Sequence, residues 1–211
     1  MVHSTRPGLI IGFHGCDQQI KDALVGKGLR MNPSTKSYDW LGNGCYFWEN
    51  NYERALDFAK NPPGKKVIKH PSVLGAVIDL QFCLDLLDTT FLNVVKDSYT
   101  NFSLAAKESG MKLPLNKTTG LSKDLLIRDL DCAVIENVHK KRLNNDLKPF
   151  DSVRGVFVEG EALYPGAGFN AKNHIQICIR NPNCIKGFFN PVEETQWPQV
   201  ENSFNMKARQ N

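Results

Sequence analysis

The chain has 211 residues, of which 41% are hydrophobic and 23% charged, with a formal net charge of +4. These are ordinary values for a folded protein of most simply one domain, and the charge permits an anionic partner without requiring one. No apolar run approaches the roughly 20 residues that cross a bilayer, and Leu9-Ile10-Ile11 is too short for the core of a secretion signal, so no membrane partner is expected.

Pro7 to Phe13 predicts an entering strand, apolar on both faces from Gly8 as a central strand would be. Asp17 caps a short helix through Val25, closed by Gly26 and Gly28. Gly42 and Gly44 bracket a tight turn before a strand Cys45 to Trp48, whose alternation puts Tyr46 and Trp48 on one face and Phe47 on the other. Asn50 or Asn51 starts a helix with Tyr52, Ala55, Leu56 and Ala59 on one side, and Asn61-Pro62-Pro63-Gly64 ends it. Val73 to Leu80 is the clearest strand, followed by a turn at Asp85 to Asp88.

Two helices are predicted next, one over Thr90 to Ser109 and one capped by Ser122 that carries Leu125, Leu126, Leu130, Val134 and Val138. Strands are predicted over Val153 to Glu159, His174 to Arg180 and Cys184 to Phe189, with a Gly- and Pro-rich loop from Gly160 to Asn173. Six cysteines at 16, 45, 83, 132, 178 and 184 show no C-x-x-C pair and fall mostly in apolar stretches. They read as small reduced hydrophobes in a cytoplasmic protein, with no metal site.

The chemistry concentrates in two segments, Phe13-His14-Gly15 and Gly42-Asn43-Gly44-Cys45-Tyr46-Phe47. A primary carboxamide needs a donor and an acceptor together, which one glycine backbone can supply at close range, as at Gly15. His14 can bond a ribose hydroxyl, and Tyr46 can stack on a flat ring. In this order and spacing the segments resemble the His-Gly and Gly-x-Gly-x-Tyr-Phe motifs of the diphtheria-toxin and poly(ADP-ribose) polymerase branch of ADP-ribosyltransferases.

That resemblance implies an α+β fold with a split β-sheet core, flanking helices and a helical insertion at about 90–150 within a catalytic domain 1–190, followed by a polar tail 191–211. It implies NAD as substrate, with His14 on the adenosine ribose, Gly15 on the carboxamide, and Tyr46 and Phe58 around the nicotinamide. The helix serine that usually helps hold the carboxamide is replaced nearby by Ala55. The late strand, which opens on a glutamate in the family, has Gln176 as its best match. Gln176 can bond a hydroxyl but offers neither a base nor a charge. His174 lies on the same face two residues away, and Glu159 and Glu161 in the preceding loop offer carboxylates.

Within the family a missing glutamate goes with transfer of a single ADP-ribose. The resemblance therefore implies a mono-ADP-ribosyltransferase of bacterial or phage-conflict type, a toxin acting on a nucleic acid or a protein and held in check by a cognate antitoxin or immunity protein. A non-catalytic NAD or ADP-ribose binding module and an NAD glycohydrolase stand beside it. Two basic clusters, Lys65-Lys66-Lys69-His70 and His139-Lys140-Lys141-Arg142, are candidate nucleic-acid contacts, although cations at the second also complement a helix C-terminus.

Overall fold

In a computed structural model, residues 8–64, 67–119 and 123–192 of the chain are described. They form a mixed α+β domain. The strands are β1 (Ile10–Asp17), β2 (Cys45–Glu49), β3 (Pro71–Ile78), β4 (Cys83–Asp85), β5 (Asn116–Lys117), β6 (Ile127–Arg128), β7 (Ser152–Phe157), β8 (His174–Ile179) and β9 (Ile185–Phe189). The helices are α1 (Gln18–Gly26), α2 (Tyr52–Lys60), α3 (Thr89–Glu108) and α4 (Asp129–Asn144). Seven strands make one sheet in the order β4-β7-β8-β2-β1-β3-β9, parallel between β4 and β7 and antiparallel elsewhere, while β5 and β6 pair separately.

The ladder is uneven. β1 pairs with β3 from Ile10 opposite Ile78 to Asp17 opposite Pro71, and β2 pairs with β8 from Cys45 opposite Ile179 to Trp48 opposite Gln176. β1 and β2 themselves register at Gly12 opposite Glu49 and at Phe13 opposite Trp48. Beyond that point the sheet has a seam, with His14 and Gly15 on one side and Tyr46 on the other.

Alternation then assigns the faces. Phe13, Gly15, Tyr46, Trp48, His174 and Gln176 share one face. It is covered by α2 through Ala55, and by α3 and α4 through Phe91, Ile135 and Val138. His14, Phe47, Glu49, Arg154 and Ile177 share the other, where α1 packs Leu24 on Cys16 and Leu74. Gly15 permits the closest helix–sheet contact, since a Cβ there would lie 2.1 Å from the Ala55 carbonyl oxygen. Asp17 and Asn51 cap α1 and α2 through their side chains.

Two expectations are corrected. The helix expected from Ser122 begins at Asp129, because Ile127 and Arg128 pair with Asn116 and Lys117 instead of entering the helix; Ser122 itself lies outside the described residues. His139 belongs to no surface cluster: it is buried on α4 with its ring edge-on to Phe150. The other basic cluster is only partly visible, with Lys65 and Lys66 outside the described residues, as is the tail from 193 onward. The six cysteines are buried and none is in a disulfide.

Candidate functional site

The two motif segments meet at the seam. His14 is half-buried and donates from Nδ1 to the Tyr46 carbonyl oxygen at 2.8 Å, its ring lying 5.9 Å from Phe47. A carbonyl can only accept, so Nδ1 carries the proton. Gly15 is buried under α2. The Tyr46 hydroxyl donates to the Gly42 carbonyl (2.7 Å) and accepts from the Leu41 amide (3.0 Å). Gly42, at φ +81°, makes that return possible, and a Cβ there would meet the Glu136 carboxylate at 2.5 Å. Burial pushes the Tyr46 phenol far above its ordinary range, so it remains protonated.

The third element lies on the adjacent strand. Gln176 accepts from the Trp40 indole N–H through Oε1 at 2.6 Å, which leaves its amide N–H groups as donors. His174 is buried and stacks on Phe157 at 5.4 Å, and it donates from Nδ1 to the Lys172 carbonyl (2.6 Å). Its Nε2 is therefore a lone-pair acceptor. Burial lowers the pKa to about 4, with the nearby Arg54 charge adding to that effect.

Around His174 lie three buried polar atoms without a hydrogen-bond partner: its own Nε2, Trp48 Nε1 and Arg54 Nε. Trp48 is 6.1 Å from His174 and 5.1 Å from Phe58, ring to ring. Arg54 reaches Glu159 (2.7 Å) and Asp57 (2.5 Å), and Lys172 also reaches Asp57 (3.3 Å). Burial alone would raise the Asp57 carboxyl, but hydrogen bonds from Asn61 and Lys172 and the Arg54 charge hold it below its ordinary value.

The sequence-predicted residues thus divide. Tyr46, Gln176, His174 and Phe58 gather on one face beside Trp48, which had no predicted role, with Glu159 reaching them through Arg54. His14 points to the opposite face and touches Tyr46 through the backbone. Glu161 is exposed and joins the loop by its main chain, accepting from the Ala171 amide at 2.9 Å. Sequence reasoning assigned no role to Trp40 or Arg54. Their partners, Gln176 and Glu159, lie 136 and 105 residues away, so no local spacing marks them.

Among the described residues no three His, Cys, Asp or Glu side chains form a metal-ligand set, and no helix is long and apolar enough to cross a membrane. Comparison with known proteins matched no family model, no curated protein and no solved structure.

Proposed function

We propose that the chain is an NAD-dependent mono-ADP-ribosyltransferase of toxin type, releasing nicotinamide and modifying a nucleic acid or a protein. One observation carries this reading. The three elements chosen from sequence, His14-Gly15, Tyr46 and Gln176, stand on the neighbouring strands β1, β2 and β8 and flank the seam where the β1–β2 ladder ends. A second supports it: the unpartnered Trp48 Nε1, Arg54 Nε and His174 Nε2 beside Gln176 supply two donors and one acceptor, a set that suits a hydroxyl-rich ligand.

Seating a nicotinamide against Gly15 requires α2 to withdraw from β1, because the Ala55 carbonyl occupies the space over that glycine. When NAD is bound, cleavage of its glycosidic bond needs positioning and electrostatics more than acid catalysis, since the leaving group is already cationic. His174, neutral and buried, offers the lone pair that Gln176 lacks.

A specific observation favours a second reading, a non-catalytic NAD or ADP-ribose binder: Gln176 is already engaged by Trp40 and carries no charge. Incubation with labelled NAD and a cell lysate separates the readings. Label on macromolecules is the expected result. Free ADP-ribose alone would make the protein a glycohydrolase, and unconsumed NAD would make it a binder. His14→Ala and Tyr46→Ala are each expected to abolish nicotinamide release without unfolding the protein, and undiminished release in both would overturn the assignment.

A further inference from the structure

A cavity of about 310 Å³ opens between α3, α4 and Trp40, whose indole N–H is bonded to Gln176. Its volume lies at the lower end of the range for small-molecule sites. Its walls are apolar, with Val95 from α3 and Val134 and Ile135 from α4, and the Trp40 indole forms one side.

The polar groups of the cavity are few and held in place. Arg128 lies with its guanidinium 4.8 Å from the Trp40 ring and 5.2 Å from Phe157, and its Nε donates to the Asp131 carboxylate at 2.5 Å. Two aromatic faces and one carboxylate therefore fix the plane of the fork. The two terminal nitrogens of Arg128 make no hydrogen bond among the described residues. Lys96 stands exposed at the mouth. Arg128 and Lys96 against Asp131 leave one positive charge over, which matches a monoanion.

We infer that this cavity binds a small carboxylate with an apolar, ring-sized body. The body would fill the space against Trp40 and Val134, and the carboxylate would take the terminal N–H groups of Arg128 side by side. A planar guanidinium whose Nε is already committed presents the geometry that a carboxylate accepts in two parallel bonds. The apolar walls offer nothing to a strongly hydrated dianion, which disfavours inorganic phosphate. The Trp40 indole N–H, bonded to Gln176 on its other side, is the natural reporter of occupancy.

The test uses the whole, nitrogen-labelled protein without NAD, so its outcome is independent of the proposed activity. Phenylacetate and its uncharged amide, phenylacetamide, are titrated while the indole N–H resonances of the three tryptophans are followed, with Trp40 assigned by Trp40→Phe. Saturable movement of the Trp40 signal by phenylacetate is expected, with the amide about tenfold weaker or more, as loss of a charge-assisted hydrogen bond implies. Arg128→Gln should bring the acid down to the level of the amide. Val95→Trp, which fills the cavity from a half-buried position on α3, should abolish binding of both. Absence of a saturable Trp40 shift, equal binding of acid and amide, or binding that survives Val95→Trp would each overturn the inference.

Discussion

On one face of the sheet, Arg154 reaches from β7 to Glu49 on β2 (2.5 and 3.0 Å) and to Asp85 on β4 (3.2 Å), and every nitrogen of its fork has a carboxylate partner. On the other face, Trp48, Arg54 and His174 bury three nitrogen atoms that have none. Trp48 and Glu49 are neighbours in the chain, yet strand alternation sends them into these different clusters. A saturated buried cluster holds a fold together, whereas an unsaturated one carries a desolvation cost that a bound polar group can remove. On the proposed function, the saturated cluster behind the sheet serves the fold, and the unsaturated one in front of it serves the ligand, with His14 reaching Tyr46 from behind.

The largest test of that contrast is Arg154→Ala. It removes the Arg154 guanidinium from two carboxylates, each less than a fifth exposed, and about 3–5 kcal/mol of stability should be lost in urea unfolding. If stability were unchanged while nicotinamide release disappeared, the two clusters would have to exchange roles.

Acid comes next in size. Burial holds His174 neutral down to about 4 and His139 down to about 3, against 6.5 for an ordinary imidazole. Below that ordinary value the unfolded chain binds protons that the folded chain refuses. The contribution of these residues is therefore complete above pH 6.5 and is lost progressively as the pH falls toward the folded values. His174 alone accounts for a loss on the order of 2 kcal/mol by about pH 5. Chemical unfolding at about pH 7 and about pH 5 measures it, and His174→Gln should remove about half of the dependence, His139 supplying the rest. An unchanged slope in that variant would mean that His174 is not held neutral.

Much of this arrangement was legible in sequence where the signal is local. Asp17 and Asn51 cap the helices expected after them, and β2 alternates as its aromatics predict. The apolar run at Val73 becomes a strand between β1 and β9. Adjacent motif strands followed from reading the segments together. Side-chain direction did not: β1 continues in register with β3 past Phe13, which turns His14 to the opposite face from Tyr46. The start of α4 was missed because two residues that fit a helix, Ile127 and Arg128, find strand partners in Asn116 and Lys117. Partners more than a hundred residues apart, as in Arg54–Glu159 and Trp40–Gln176, leave no pattern in a single sequence.

Tyr46→Phe sharpens the comparison at the seam by separating the ring from its hydroxyl. The hydroxyl ties β2 back to the Gly42 turn, and Cys178 Sγ also lies 3.5 Å from the Gly42 carbonyl and keeps it partly satisfied. The buried Leu41 amide, by contrast, loses its acceptor, so loss of the phenol should cost on the order of 2 kcal/mol, read as a lowered unfolding midpoint. Nicotinamide release should persist, because the stacking face is unchanged. Loss of release with the fold intact would move the role of Tyr46 from its ring to its oxygen.

The smallest expected change in stability is the most informative. In His174→Phe the stack on Phe157 is kept, the unpartnered Nε2 is removed, and the Lys172 carbonyl, on an exposed loop residue, can turn to water. These terms nearly cancel, so stability should change by no more than about 0.5 kcal/mol. Nicotinamide release should nevertheless fall by at least about tenfold, as removal of a positioned base implies. A residue that served packing alone would show the reverse, with stability lost and the rate per folded molecule retained. Measuring both quantities in one variant therefore decides whether the unsaturated cluster is a ligand site or a flaw in the core.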